Sequence, residues 1–280
     1  MPILIECETR DAGDSQDLRS IDAQLDDFLA LVAANDQSAL LLDFDGTLAP
    51  FRIDPTKVKP WVGVTKLLDA IQRTGRTRIA IISGRSARDV AFLLGMPTPP
   101  EIWGLHGAER LLPSGRLEMD ELLPRQRTAL NAARHSLQIA GIVGKLGLRV
   151  EEKWNAIAVH WRGKSEQSVR TVRQQTCKIL CPFVEEPGTK LLQFDGGVEL
   201  RAGRDKGGAV HVLLSEMQSD APVAFMGDDI TDEDAFLALS GRGLSILVRR
   251  AWRPSAAKLW LRPPDQLRSF LSGWLRAVRC

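Results

Sequence analysis

The sequence has no tyrosine and only four histidines and four cysteines among its 280 residues. A membrane-spanning helix needs about eighteen consecutive apolar residues, and no apolar run in the sequence approaches that length. The N-terminus is acidic and lacks the basic segment of a signal peptide. Cys177 and Cys181 lie close together in a helical pattern, but no second pair completes a zinc site. We therefore expect a cytoplasmic protein with reduced thiols and no membrane association.

Several common catalytic motifs are also missing. The chain contains no G-x-x-x-x-G-K-S/T loop, no G-x-S-x-G turn and no H-E-x-x-H helix, which argues against P-loop nucleotide binding, serine hydrolases and zinc proteases. Asp43-Phe-Asp45-Gly46 begins like a calcium-binding loop, but Leu48 stands where that loop requires glycine. The 37 basic and 35 acidic residues give a net charge of +2, which gives no reason to expect nucleic-acid binding.

The order of apolar and polar segments predicts an α/β fold with a doubly wound parallel sheet of Rossmann type. Short apolar runs such as Leu40–Leu42 and Arg78–Ile82 are typical of buried strands, and helical patterns alternate with them, one beginning after a capping residue, Ser86. Later the pattern changes to α+β, which indicates an inserted domain. We expect an N-terminal extension of residues 1–37 with one helix, a core of residues 38–113 and 196–280, and an inserted domain of residues 114–195.

Polar residues follow the predicted strands, at the point where each one ends. Because parallel strands end at one edge of a sheet, we expect these side chains to lie together. Phosphoryl transfer needs such a set: a carboxylate nucleophile, a second acid, a cation, and a lysine and a hydroxyl that hold the phosphoryl oxygens. Singly, each has a simpler interpretation, and Asp232 and Asp234 fit best as acids that match a helix dipole. The set comprises Asp43, Asp45, Ser83, Lys206, Asp228 and Asp229.

These residues resemble the four motifs of the haloacid dehalogenase superfamily of phosphatases. The resemblance implies that Asp43 is the nucleophile, that Asp45 is the general acid and base, and that Ser83 and Lys206 bind the phosphoryl group. It also implies Mg²⁺ as cofactor, held by Asp43, Asp228 and the backbone carbonyl of Asp45, with Asp229 beside them. The inserted domain corresponds to the cap domains of that superfamily, which supply substrate recognition.

Further segments resemble the family of trehalose-6-phosphate phosphatases. They include Ile82-Ser-Gly-Arg85, Gly104-Leu-His-Gly-Ala-Glu109 and Gly227-Asp-Asp-Ile-Thr-Asp-Glu-Asp-Ala-Phe236. The chain departs from the family pattern at Ala202, where a proline is usual, and at Phe44, where a tyrosine is frequent. The resemblance implies a sugar phosphate as partner, because carboxylates and ammonium groups bind sugar hydroxyls with charge assistance. The implied substrate-binding residues are Phe44, Gly46, Thr47, Arg85, His106, Glu109, Glu152, Lys153, His160 and Glu199.

The expected function is therefore Mg²⁺-dependent hydrolysis of trehalose 6-phosphate through an aspartyl phosphate, by a monomer or a weak dimer. A phosphatase of the same fold that acts on sucrose phosphate or on a glycosyl-glycerate phosphate is a second reading. A non-catalytic sugar-phosphate sensor is a third, although binding alone needs no pair of nucleophile and acid. A mutase that passes the phosphoryl group to a sugar is a fourth.

Overall fold

The computed structural model describes residues 18–52, 54–142, 147–194 and 196–279. In these ranges, no helix is both long and apolar enough to cross a membrane. Cys177 and Cys181 are free thiols, as the sequence predicts, whereas Cys7 and Cys280 lie outside the described residues. Residues 1–17, all those before the helix of the expected N-terminal extension, also lie outside them.

Helices alternate with strands in parts of the chain, and in others strands follow one another directly. The helices are α1 (Leu18–Ala34), α2 (Val64–Gln72), α3 (Ala87–Leu94), α4 (Pro124–Ile139), α5 (Glu166–Leu180), α6 (Lys206–Ser215), α7 (Glu233–Ala238) and α8 (Asp265–Ala277). The strands are β1 (Ser38–Leu42), β2 (Thr77–Ile82), β3 (Glu101–Gly104), β4 (Glu109–Leu111), β5 (Leu117–Met119), β6 (Arg149–Lys153), β7 (Ala156–His160), β8 (Thr189–Phe194), β9 (Gly197–Ala202), β10 (Val223–Gly227), β11 (Leu244–Val248) and β12 (Leu259–Leu261).

The larger sheet has the order β12-β11-β10-β1-β2-β3-β4-β5 in the part of the chain that the structure describes. Its strands from β12 to β3 are parallel, and β4 and β5 add an antiparallel edge. Strand β1 lies near the centre, and its alternate residues are buried on opposite faces of the sheet. Leu40 and Leu42 pack with α1, α2, α3 and α8 on one face, and Ala39 and Leu41 pack with α6 and α7 on the other. This two-sided burial explains the continuous apolar run of a parallel strand and confirms the predicted fold class.

The second sheet is antiparallel, with the order β6-β7-β9-β8 among the described residues. Helices α4 and α5 cover one of its faces and pack on apolar strand residues such as Ile157 and Leu200. Its other face presents polar side chains toward the ends of the parallel strands. We call this sheet with α4 and α5 the cap, and the parallel sheet with its helices the core.

Strand pairing corrects the expected domain boundaries. β5 pairs with β4 in the larger sheet, so the core continues past residue 113. β9 pairs with β7 and β8, so the cap sheet continues past residue 195. Both errors have a physical cause: β4 and β5 are short and only partly buried, and β9 carries buried charged residues that break its apolar run.

The N-terminal helix α1 is present as predicted and packs on the core. It contacts α8, where the rings of Phe28 and Trp274 lie 5.9 Å apart. Arg76 donates to the carbonyl oxygens of Ala33 and Asn35, at the end of this helix. These contacts hold α1 in the helical layer that also contains α2, α3 and α8, on the face of the sheet opposite α6 and α7.

Candidate active site

A cavity of about 700 Å³ lies between the core and the cap. The core contributes residues that follow β1, β2 and β10, and the cap contributes the polar face of its sheet. Ligands of open α/β sheets bind at the carboxyl ends of the strands, and this cavity is at that edge. The sequence prediction that polar strand ends meet in space is therefore supported by the placement of these residues.

Asp43, the first residue after β1, lies at the bottom of this cavity beside Lys206. The Nζ of Lys206 is 2.6 Å from Oδ1 of Asp43 and 2.6 Å from Oδ1 of Asp232. Lys206 begins α6, and its side chain is only 2% exposed. A buried ammonium group between two carboxylates is stable only because both partners offset the cost of its desolvation.

The acids outnumber the cation at this point. Burial raises the pKa of Asp43 to about 7, against the opposing effect of the Lys206 ammonium. Burial also raises the pKa of Asp228 well above its ordinary value, and the carboxylates of Asp43 and Asp232 add to that rise. Asp232 and Asp43 hold the pKa of Lys206 above its ordinary value although burial acts in the other direction. The cluster therefore contains more acids than cations, and burial favours the protonated forms of Asp43 and Asp228 when no further cation is present.

The residues present fit a divalent cation. One carboxylate oxygen each of Asp43, Asp228 and Asp232 lies within 4.8 Å of the others. Oδ1 of Asp228 is buried and has no hydrogen-bond partner among the described residues. Buried polar atoms are normally paired, and hard cations such as Mg²⁺ prefer carboxylate oxygens. Gly46 makes room for this arrangement, because its φ is +87° and a Cβ there would lie 2.1 Å from Oδ2 of Asp228.

Asp45 lines the same cavity but is held by a different partner. Nε and Nη2 of Arg85 donate to its two carboxylate oxygens at 2.5 and 2.7 Å. Such a two-point pair fixes the plane of the carboxylate as well as its position. Ser83 is buried next to this pair, and its hydroxyl oxygen accepts a bond from the Arg85 backbone N–H at 3.2 Å.

On the cap side, Glu199 lies at the centre of a buried polar cluster. Its carboxylate accepts from Nζ of Lys153 at 2.9 Å and from Nε of Arg201 at 2.8 Å. Burial would raise the pKa of Glu199, but Arg201 and Lys153 hold it below its ordinary value. Lys153 also donates to the carbonyl oxygen of Gly84 at 3.3 Å, which is a direct contact between cap and core.

His106 and His160 approach the cavity from opposite domains. His106 is buried with Nε2 3.6 Å from Oε1 of Glu199, and burial together with Arg201, Lys153 and Lys206 places its pKa well below its ordinary value. His160 bonds to Glu151 at 2.9 Å. That bond is the main reason why the pKa of Glu151 falls to about 2.

Four of the expected substrate contacts do not line the cavity. Phe44 is fully buried in the apolar core and Thr47 is fully buried beside it, so neither side chain reaches the cavity. Oε2 of Glu109 accepts the backbone N–H of Ala87 at 2.8 Å, so this side chain holds the start of α3. Gly46 acts through the space that it leaves for Asp228. Residues directly after a catalytic strand can thus serve packing instead of binding.

Glu152, a predicted substrate-binding residue, does not line the cavity either. Its side chain is 53% exposed and lies 3.4 Å from Nε of Arg134 on α4. Its neighbours Glu151 and Lys153 line the cavity instead, because successive side chains of a strand point to opposite faces. The sequence prediction took two adjacent strand residues where only alternate ones can share a face.

Two further residues were missed or assigned differently. Asp232 was read as a helix-dipole acid, but it is buried, pairs with Lys206, and accepts from the backbone N–H groups of Asp228 and Asp229. It takes the place in the acidic cluster that was expected for Asp229, whose Oδ1 accepts the N–H of Ile230. Arg201, to which the sequence analysis assigns no role, also lines the cavity. The spacing of acids in Gly227-Asp-Asp-Ile-Thr-Asp232 was the available signal.

The chain is similar to known phosphatases over most of its length. A family model described as trehalose-phosphatase matches residues 41–263. A trehalose-phosphate phosphatase of Mycobacterium marinum is 30% identical over 244 residues, which cover 83% of this chain and 60% of that protein. A trehalose 6-phosphate phosphatase of Zea mays is 29% identical over 269 residues, covering 89% of this chain and 72% of that protein. The chain spans about 60% of the length of the mycobacterial relative.

Solved structures agree on the fold. The C-terminal domain of the C. albicans trehalose-6-phosphate phosphatase superposes with a TM-score of 0.72 at 19% identity. The match covers 91% of this chain and 96% of that domain. Both the parallel core and the antiparallel cap thus have counterparts in a solved protein.

Proposed function

We propose, since the chain belongs to the trehalose-phosphatase family, that it hydrolyses trehalose 6-phosphate to trehalose and phosphate. One observation carries the proposal beyond family membership. A buried carboxylate paired with a lysine faces a buried cluster of cap residues across one cavity. The first group suits phosphoryl chemistry and the second suits sugar hydroxyls, so a phosphorylated sugar fits both ends of the cavity.

The reaction begins with attack of the Asp43 carboxylate on phosphorus. A bond forms between its oxygen and phosphorus, the bond from phosphorus to the sugar oxygen breaks, and Asp45 gives its proton to that leaving oxygen. Lys206 and Ser83 hold the phosphoryl oxygens as charge moves onto the sugar oxygen. The products of this step are trehalose and an aspartyl phosphate on Asp43.

Hydrolysis of the aspartyl phosphate completes the reaction. Asp45, now ionised, takes a proton from a water molecule, whose oxygen attacks phosphorus. The bond between phosphorus and the Asp43 oxygen breaks, which releases phosphate and restores the carboxylate. The two-point bond from Arg85 keeps Asp45 in the same orientation for both proton transfers.

The acidic cluster would hold Mg²⁺ through Asp43 and Asp228, with the backbone carbonyl of Asp45. When bound, Mg²⁺ supplies positive charge that lets a carboxylate approach a phosphate dianion. The elevated pKa values of Asp43 and Asp228 and the unpaired Oδ1 of Asp228 support this assignment. Asp232 holds Lys206 and the backbone after β10 in place, because it accepts hydrogen bonds from Nζ of Lys206 and from the backbone N–H of Asp228.

The cap would recognise the sugar. Lys153 and Glu199 of the cap, with His106 of the core, form one group of donors and acceptors, and Glu151 with His160 forms another on the cap sheet. A cavity of about 700 Å³ is within the range of about 300–1,000 Å³ that is usual for small-molecule sites. Contacts from two domains at once would align the phosphate with Asp43 only when the cap lies over the core.

Phosphate release from a panel of sugar phosphates tests this proposal. We expect trehalose 6-phosphate to be hydrolysed with the highest kcat/KM, with loss of activity in a chelator and recovery with Mg²⁺. Sucrose 6-phosphate and glucose 6-phosphate are the comparison substrates. A preference for sucrose 6-phosphate, or no release from any member of the panel, would contradict the proposal.

A further inference from the structure

A second cavity, of about 360 Å³, lies where the cap meets the core on the other side of Phe194. The cap contributes Arg173 of α5 together with Phe194, and the core contributes Arg249 and Arg253, which follow β11. Phe194 and Asp229 line this cavity and also the active-site cavity. The two cavities are thus neighbours with a shared wall, and both of them span the two domains.

The two core arginines lie close together at this cavity, and Nη1 of Arg253 also donates to the carbonyl oxygen of Pro254 at 2.8 Å. Nη1 of Arg249 and Nε of Arg253 donate to the same carbonyl oxygen, that of Asp228, at 3.3 and 3.4 Å. Nη1 of Arg253 bonds to Glu233, but its Nη2 is buried and has no hydrogen-bond partner among the described residues. A buried charged donor without a partner is unfavourable, and a ligand that reached Nη2 of Arg253 would remove that cost.

The third arginine approaches from the cap. Arg173 is exposed on α5 and makes no salt bridge within the described ranges of the chain. Three guanidinium groups and one carboxylate, that of Asp229, therefore line the cavity, and Glu233 neutralises Arg253 from outside it. The cavity keeps an excess of positive charge at the junction of two domains.

Guanidinium groups are well suited to bind oxyanions. Their planar donors match the oxygens of a phosphate or sulfate group in pairs, and several of them together bind more strongly than one. We propose that this second cavity binds a phosphate-type oxyanion, free or carried by a small molecule, between Arg173 of the cap and Arg249 and Arg253 of the core. None of the three arginines is a proposed catalytic residue, although two of them bond to the backbone of Asp228. The occupant of this site would link the cap to the core.

Calorimetric titration of the full chain with inorganic phosphate tests the site. We expect the unaltered protein to bind one more phosphate per chain than the double variant Arg173→Gln, Arg249→Gln. Arg173→Gln alone removes only an exposed side chain, and we expect it to weaken that phosphate about tenfold, as for one charge-assisted hydrogen bond. Propylphosphonate is titrated in parallel, because a phosphatase does not hydrolyse its carbon–phosphorus bond. This titration shows whether the cavity binds a phosphate-type group that is attached to a carbon chain as well as free phosphate.

The matched control is the double variant Arg170→Gln, Arg250→Gln. It removes the same charges from exposed positions on the same two segments, outside the cavity. We expect it to bind phosphate with the stoichiometry of the unaltered protein. Equal stoichiometry in the cavity variant and the unaltered protein would overturn the proposal, and so would an equal loss in the control. Neither result depends on catalysis, so the outcome is independent of the proposed function.

Discussion

Both carboxylate oxygens of Asp45 accept hydrogen bonds from the guanidinium group of Arg85. Arg85 is anchored in turn, because its Nη1 donates to the carbonyl oxygen of Pro55 at 2.8 Å. The proposed general acid and base is therefore held in one plane, whereas the proposed nucleophile is held by Lys206 from another direction. Asp43 and Asp45 thus have different partners, which is consistent with the different roles proposed for them.

The variant Asp45→Asn tests the role of Asp45 in both steps. We expect its kcat for trehalose 6-phosphate to fall about 10²- to 10⁴-fold, because general acid–base catalysis contributes that much. With p-nitrophenyl phosphate, whose leaving group needs no proton, the first step should still proceed. Stopped-flow absorbance should then show a burst of nitrophenolate near one equivalent per chain, followed by slow turnover.

The control for this experiment is Asp36→Asn, an exposed residue shortly before β1. It should behave as the unaltered protein with both substrates. Unchanged turnover of trehalose 6-phosphate by Asp45→Asn, checked by mass spectrometry for deamidation, would remove Asp45 from the mechanism.

Replacement of Lys206 by methionine should destabilise the protein strongly. It leaves the buried carboxylates of Asp43 and Asp232 without their cation, and breaking a buried pair costs about 3–5 kcal/mol. Urea unfolding in a chelator measures this loss. Lys66→Met, at an exposed position of α2, is the control and should stay within about 0.5 kcal/mol. A loss below 1 kcal/mol for Lys206→Met would mean that the pair is not as buried as described here.

Adjacent residues of β6 provide a test of the cavity wall. Glu151→Gln should raise KM for trehalose 6-phosphate about tenfold, because it weakens a charged group on the cavity side. Glu152→Gln, on the opposite face of the same strand, should leave KM unchanged. Initial rates over a range of substrate concentrations give both values. The reverse order would show that the sequence prediction of Glu152 was right and that β6 binds substrate through its other face.

His106 should make stability depend on pH below its ordinary pKa of 6.5. Its folded-state pKa lies well below that value, so below pH 6.5 the unfolded chain binds a proton that the folded chain does not. Stability conferred by His106 is therefore lost as pH falls through 6.5, by at most about 1.4 kcal/mol per pH unit. Urea unfolding between pH 7.5 and pH 5 measures this slope.

Asparagine is the suitable replacement, because the φ of His106 is +61° and asparagine tolerates that region. The stability of the unaltered protein relative to His106→Asn should decline below pH 6.5. The control His135→Asn, at an exposed position, should keep a constant difference across the range. Parallel curves for all three proteins would show that His106 ionises equally in both states.

Local patterns predicted the regular elements well. α3 begins directly after Ser86, as the sequence predicts, because the hydroxyl oxygen of Ser86 accepts the backbone N–H of Asp89. Ser165 caps the start of α5 in the same way. β1 was identified from its apolar run, which both layers of helices require. The short edge strands β4 and β5 were missed because they bury too little apolar surface to leave a pattern.

The site was predictable only where sequence order determines position. Asp43, Ser83 and Asp228 follow parallel strands, so the fold alone brings them to one edge. The register of β6 against β7 decides on which face of the sheet the side chain of Glu152 lies. The sequence does not predict this register, because the charged residues of β6 show no alternation of apolar and polar positions. The place of Asp232 in the acidic cluster depends on its contact with Lys206. The two residues are 26 positions apart in the chain, so no local sequence pattern predicts this contact.

Identification of the phosphorylated residue tests the central claim most directly. Turnover of trehalose 6-phosphate with a labelled phosphoryl group is stopped with acid within milliseconds, and the labelled peptide is mapped. We predict label on the peptide that contains Asp43, transient in the unaltered protein and absent in Asp43→Asn, which remains folded but inactive. Label on a different residue, or continued turnover by Asp43→Asn without deamidation, would contradict the account.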